Sequence, residues 1–136
     1  MIVGLGNDIC NIKRIAKAFE RHGARFCEKI LTDAERAQMA ERGQNIAYLA
    51  KRFAAKEAIY KAIAHHITPP PSWQDAEILN DAAGRPIVAL SARCQKALDE
   101  RIGAKVALLL SLSDDHPFAF AVCIASTADI ATGFVE

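Results

Sequence analysis

A chain of 136 residues suits one domain, and a 51% hydrophobic content lets it build a core without disulfides. Seventeen Lys+Arg against sixteen Asp+Glu leave a net charge of +1, a balance that argues for neither a nucleic-acid nor a membrane-surface partner. No run approaches the roughly 18 uncharged apolar residues of a membrane span, and the first residues lack a signal-peptide pattern, so the expected location is cytoplasmic.

Residues 2–10 read as a strand in which Val3, Leu5 and Ile9 alternate with Gly4, Gly6 and Asp8. Glycines on one strand face imply close approach of another backbone or a ligand; a bulge beside a packed helix explains them as well. Asn11 caps a helix to about His22, stopped by Gly23, with an apolar stripe of Ile12, Ile15, Ala16 and Phe19. Residues 11–29 hold six Lys or Arg against two Glu, a local net of +4, which suits either a solvated face or an acidic partner.

Thr32 and Glu35 form a capping-box pattern for a helix to about Arg42, and Asn45 opens the longest helix, ending near Ala64, with Leu49, Phe53 and Tyr60 on its apolar side. Three prolines mark residues 68–72 as a loop. Strands over 76–80 and 86–90 flank the turn Asp81–Gly84. Ser91 caps a helix over 92–102 that Gly103 stops. Strands over 105–113 and 118–126 follow, joined by a turn at Asp114, Asp115 and Pro117. Val106, Leu108, Leu110 and Leu112 share a face of the first. In the second, Phe118, Phe120, Val122 and Ile124 alternate with Ala119, Ala121, Cys123 and Ala125, and the small face invites a helix or subunit to approach closely. The tail from Thr127 shows no pattern. This order indicates an α+β fold with a largely antiparallel sheet packed against a long helix.

Cys10, Cys27, Cys94 and Cys123 have no metal or redox spacing and read as reduced, packed thiols. Two carboxylates, Asp8 and Glu57, carry the chemical interest. Mg²⁺ takes one or two protein carboxylates and completes its shell with water and substrate phosphates, and these two suit it; Mn²⁺ accepts the same ligands. Lys61, four residues beyond Glu57, is placed to neutralise a phosphate oxygen. From the helix alone, Glu57 and Lys61 read equally as a surface ion pair.

Residues 2–15, IVGLGNDICNIKRI, resemble the opening Gly-x-Gly-x-Asp-Ile…Arg-Ile of the holo-[acyl-carrier-protein] synthases, the short trimeric type of 4'-phosphopantetheinyl transferase. Residues 49–62, LAKRFAAKEAIYKA, are similar to the second signature Arg-Phe-Ala-x-Lys-Glu-Ala-x-x-Lys-Ala, and Trp73 to Pro86 resembles the Trp-x-Asp run that leads to a Gly-basic-Pro turn. The resemblance implies one phosphopantetheinyl transferase domain over residues 1–136 and a homotrimer with active sites between subunits. It implies transfer of phosphopantetheine from coenzyme A to a serine of apo acyl carrier protein, in fatty-acid or secondary metabolism. Asp8 and Glu57 would bind Mg²⁺ with the coenzyme A pyrophosphate, one of them would take the serine proton directly or through a water, and Lys61 would contact that phosphate or assist the leaving group. Arg52, Lys56, Lys61, Gly84, Arg85, Pro86 and Ser111 would contact coenzyme A, while Arg14, with Lys13, Lys17 and Arg21, would face the acidic carrier. The chain departs from many relatives at Ala64-His65-His66, where they carry Gly-Thr-Gly, and at Ser111-Leu112-Ser113-Asp114, where they carry Ser-x-Ser-His; its nearest histidine there is His116. The competing reading is a non-catalytic homologue that only binds coenzyme A or the carrier.

Overall fold

A computed structural model describes residues 1–127; the rest of the patternless tail lies outside them. The order is β1 (Ile2–Asn11), α1 (Ile12–His22), α2 (Ala24–Ile30), α3 (Asp33–Glu41), α4 (Ile46–Ile63), β2 (Ala76–Asn80), β3 (Pro86–Leu90), α5 (Ala92–Ile102), β4 (Val106–Asp115) and β5 (Phe118–Thr127). Short 3₁₀ turns occupy Ala64–His66 and Trp73–Asp75. The expected caps form. Asn11 accepts from the Lys13 amide, Asn45 from the Ala47 and Tyr48 amides, and Thr32 and Glu35 close a reciprocal capping box.

The fold is α+β, with one helix and one sheet more than the sequence led us to expect. Gly23, at φ +50°, ends α1 and at once begins α2, whose Cys27 and Ile30 are buried one turn apart. The strands form two antiparallel sheets: β1-β5-β4, and the separate hairpin β2-β3. β4 runs on through Asp114 and Asp115, so the turn narrows to His116-Pro117.

Helix α4 lies across one face of the larger sheet, over the small residues. Ala119, Ala121, Cys123 and Ala125 are buried beneath it, and it answers with Ala54, Ala58 and Ala62, all buried. Small side chains on both surfaces let the axis come close. At β1 it comes closer still: a Cβ on Gly4 would strike the carbonyl oxygen of Ala62, and one on Gly6 that of Ala58. The two glycines therefore answer to a packed helix, and the register slips between Ile2 and Gly4 as well. Tyr60 departs from its expected place on the buried side of α4, being 45% exposed.

The other face of this sheet is open and carries its large side chains. Leu5 stands opposite Ile124, Asn7 opposite Val122 and Ile9 opposite Phe120. Leu5, Ile9, Phe118, Phe120 and Val122 are each 39–67% exposed. All four cysteines are buried with unpaired thiols, as expected. Among the described residues no helix is long and apolar enough to cross a membrane.

Candidate active site

The close seating of α4 on β1 brings the two carboxylates together. Asp8 follows Gly6 by two residues and Glu57 precedes Ala58, so both stand beside the point of closest approach. Burial pushes the Glu57 carboxyl above its ordinary range, the charge of Asp8 pushes it further, and Lys61 offsets part of the rise. Two neighbouring carboxylates, of which Glu57 is partly desolvated, suit a cation shared between them. Among the described residues no three His, Cys, Asp or Glu side chains cluster as a metal site. Asp8 and Glu57 thus fit an ion that draws its remaining ligands from water and a phosphate substrate, as Mg²⁺ does.

Lys61 does not form the helical pair with Glu57 that its spacing allows. Its ammonium crosses to β1, donating to the Asn7 carbonyl at 2.9 Å and to Asp8 Oδ1 at 3.2 Å. One turn further, the His66 ring nitrogen Nε2 meets the Val3 carbonyl at 2.7 Å and tilts against His65, centroids 4.0 Å apart.

Beside Glu57 opens a cleft of about 200 Å³ between α4 and the proline loop, walled by Tyr60, Pro71 and Trp73. Trp73 stacks on Phe53 with centroids 5.2 Å apart. Arg93 ties the loop down, donating to the Pro69 carbonyl at 3.0 Å and to Asp75 Oδ2 at 2.7 Å.

Lys56 belongs to the interior. It is 4% exposed, and its ammonium donates to the Ile30 carbonyl (2.6 Å), Glu35 Oε1 (2.7 Å) and the Trp73 carbonyl (2.8 Å). All three of its N–H bonds are spent there, so coenzyme A contact, implied by the resemblance, has no donor left. Glu35, fully buried, also accepts from the Thr32 and Ile78 amides, joining α3, α4 and β2 at one carboxylate. Only its place in the capping box marked it in the sequence.

Arg52, Gly84 and Pro86 meet in a second cleft of about 360 Å³ between α4, the β2–β3 turn and β4. Arg52 lies over the Tyr48 ring, 4.4 Å from its centroid. Tyr48 stands four residues before Arg52, a helical spacing that signals such a pair. Arg85 turns instead to Asp81, 3.3 Å away. Ser111 is not with them: Leu112 and Asp114 line the cleft, and period-two alternation puts Ser111 on the open face opposite Val122. Lys13, Arg14, Lys17 and Arg21 are all exposed on α1.

Residues 4–123 match the family model of the 4'-phosphopantetheinyl transferase superfamily. The chain is 48% identical over 129 residues to the holo-[acyl-carrier-protein] synthase of Paramagnetospirillum magneticum, covering 91% of this chain and 95% of that protein. The crystal structure of the Neisseria meningitidis holo-[acyl-carrier-protein] synthase superposes with a TM-score of 0.80 at 33% identity, over 93% of this chain and 100% of that one. The Helicobacter pylori synthase in complex with coenzyme A gives a TM-score of 0.74 at 28% identity, over 90% and 99% of the two chains.

Proposed function

The chain belongs to the 4'-phosphopantetheinyl transferase superfamily, and from that premise we propose that it transfers the phosphopantetheine arm of coenzyme A to a serine of apo acyl carrier protein. The observation that carries the reading is the pair Asp8 on β1 and Glu57 on α4, near enough for the charge of one to raise the other, with Lys61 paired to Asp8. The relatives at 42% and 48% identity carry the name holo-[acyl-carrier-protein] synthase, which states the holo carrier as the product and agrees with this reading.

A Mg²⁺ or Mn²⁺ ion held by Asp8 and Glu57 would polarise the coenzyme A diphosphate. The serine oxygen forms the new bond to phosphorus, the anhydride P–O bond breaks, and adenosine bisphosphate leaves with the electron pair. The serine proton goes to Glu57 or Asp8, directly or through a water. Lys61, about half exposed, neutralises charge on the phosphate oxygens.

The remaining assignments rest on position. Arg52, Gly84 and Pro86, in the second cleft, take the nucleotide end of coenzyme A. Lys13, Arg14, Lys17 and Arg21 present an unshielded positive face to an acidic carrier. The open sheet face is an apolar patch with no cover among the described residues, and self-association into a trimer would bury it.

Incubation with coenzyme A, MgCl₂ and apo carrier should add the mass of one phosphopantetheinyl group to the carrier. Asp8→Ala and Glu57→Ala should abolish the gain while melting as the wild type does. Coenzyme A should raise Tm only with Mg²⁺ present, since the two share a site. No mass gain with several acidic carriers sinks the proposal.

A further inference from the structure

The second cleft is built for an anion yet contains one of its own. Three cations line it, Arg42, Lys51 and Arg52, together with a single carboxylate, Asp114. Arg42 and Arg52 lie against the Tyr48 ring, at 5.6 and 4.4 Å from its centroid. Arg52 is 2% exposed; one of its nitrogens donates to Gln38 at 3.2 Å and Asn80 at 3.3 Å, while its Nε is buried with no partner among the described residues. A buried guanidinium one acceptor short is a standing demand for an anionic group. Lys51 is satisfied differently. Its ammonium sits 3.2 Å from Asp114 Oδ1, and both side chains are partly exposed.

We propose that Asp114 is a specificity-determining residue of this cleft: a built-in counter-anion on Lys51 that an incoming phosphate monoester must displace. The inference rests on the reading of this cleft as the seat of the nucleotide end of coenzyme A. That end carries a 3'-phosphate, with nearly two negative charges at neutral pH. In the cleft it meets two unopposed guanidinium groups, but also a carboxylate that repels it and a lysine whose charge is already matched. The partly exposed pair is weak enough to yield and strong enough to cancel most of what Lys51 would offer. The chain therefore discriminates less between coenzyme A and its dephospho form, which ends in a neutral 3'-hydroxyl, than the same cleft would without Asp114.

The test is equilibrium binding of both ligands, with Mg²⁺, to the full-length wild type, Asp114→Asn and Asp115→Asn. Asp115 is the neighbouring exposed carboxylate, opposite Phe118 on the other face of β4, and controls for a general change in charge. The wild type should prefer coenzyme A to its dephospho form by a smaller factor than Asp114→Asn does. Asp114→Asn should tighten coenzyme A about three- to tenfold and leave dephospho-coenzyme A within about twofold, the range expected for freeing one partly screened ion pair. Asp115→Asn should change neither. The inference falls if Asp114→Asn tightens both ligands alike or neither, or if Asp115→Asn has the same effect. A wild type that modifies the carrier yet keeps its ligand ratio in Asp114→Asn sinks the inference alone. One that binds neither ligand sinks the functional reading with it.

Discussion

Replacing Gly6 by alanine tests the link between packing and chemistry. The added Cβ would fall on the carbonyl oxygen of Ala58, 2.9 Å from the Ala62 amide nitrogen and 3.0 Å from the Ala58 carbonyl carbon. These are backbone atoms of a helix and have no rotamer to turn away, so α4 itself must retreat from β1. Overpacking of this kind costs roughly 1–3 kcal/mol, here at the upper end because nothing flexible yields. Alanine also restricts the unfolded chain, which returns about 0.4–1 kcal/mol. The net loss is about 2 kcal/mol, or a Tm lower by roughly 6–10 °C for a chain of this size. Turnover should suffer more than stability. A helix displaced by about 1 Å carries Glu57 away from Asp8, and misplacement of that order costs on the order of 100-fold in rate. Urea melts and the carrier-modification assay read the two effects separately. Adding Ala58→Gly should not rescue the variant, since the obstacle is the carbonyl and not the methyl. A Gly6→Ala protein with wild-type midpoint and turnover, or one restored by Ala58→Gly, would refute the close-approach argument.

Removing either partner of the buried Lys56–Glu35 pair leaves an uncompensated interior charge; Glu35→Gln or Lys56→Met should each cost about 3–5 kcal/mol in urea melts, and the double variant less than the sum. Additive losses would mean the pair is not coupled. Burial alone would raise the Asp75 carboxyl, but bonds from Arg93, Ser91 and Ser72 outweigh it and hold the group well below the usual carboxylate range. Its folded value is thus below its unfolded one, near 3.9, so its stabilisation is present above about pH 4 and lost as pH falls further. Asp75→Asn should cost about 1–3 kcal/mol at pH 7 and progressively less towards pH 2; an equal penalty throughout would show that charge is not what matters. Phe120→Glu, on the open sheet face, should shift the chain to monomers in light scattering without unfolding it; an unchanged mass would place the subunit contacts elsewhere.

Much of this was legible in the sequence, because caps, turns and period-two strands are local. Asn11, Asn45, Ser91 and Gly103 mark helix ends by chemistry that acts within one turn, and the structure puts the ends there. What was not legible depends on which surface covers which. Alternation in β1 says that Leu5 and Ile9 share a face, but not that the glycine face is the buried one. That is decided by α4, some fifty residues away, whose alanines fit only small neighbours. Gly23 reads as a stop because a helix end has a local signature, whereas an immediate second helix is fixed by where Cys27 and Ile30 find cover. The motif Lys56-Glu57-Ala58-Ile59-Tyr60-Lys61 shows the same division inside a single turn and a half. Successive residues on a helix point about 100° apart. Lys56 therefore points inward to Glu35 and loses nearly all its water, while Glu57 stays at the β1 edge and Lys61, one turn on, reaches the Asp8 strand. The sequence presents three charges of similar standing. The packing of α4 separates them into one that holds the frame and two that remain available for chemistry, and that separation requires β1, α3 and the proline loop all to be in place around the helix.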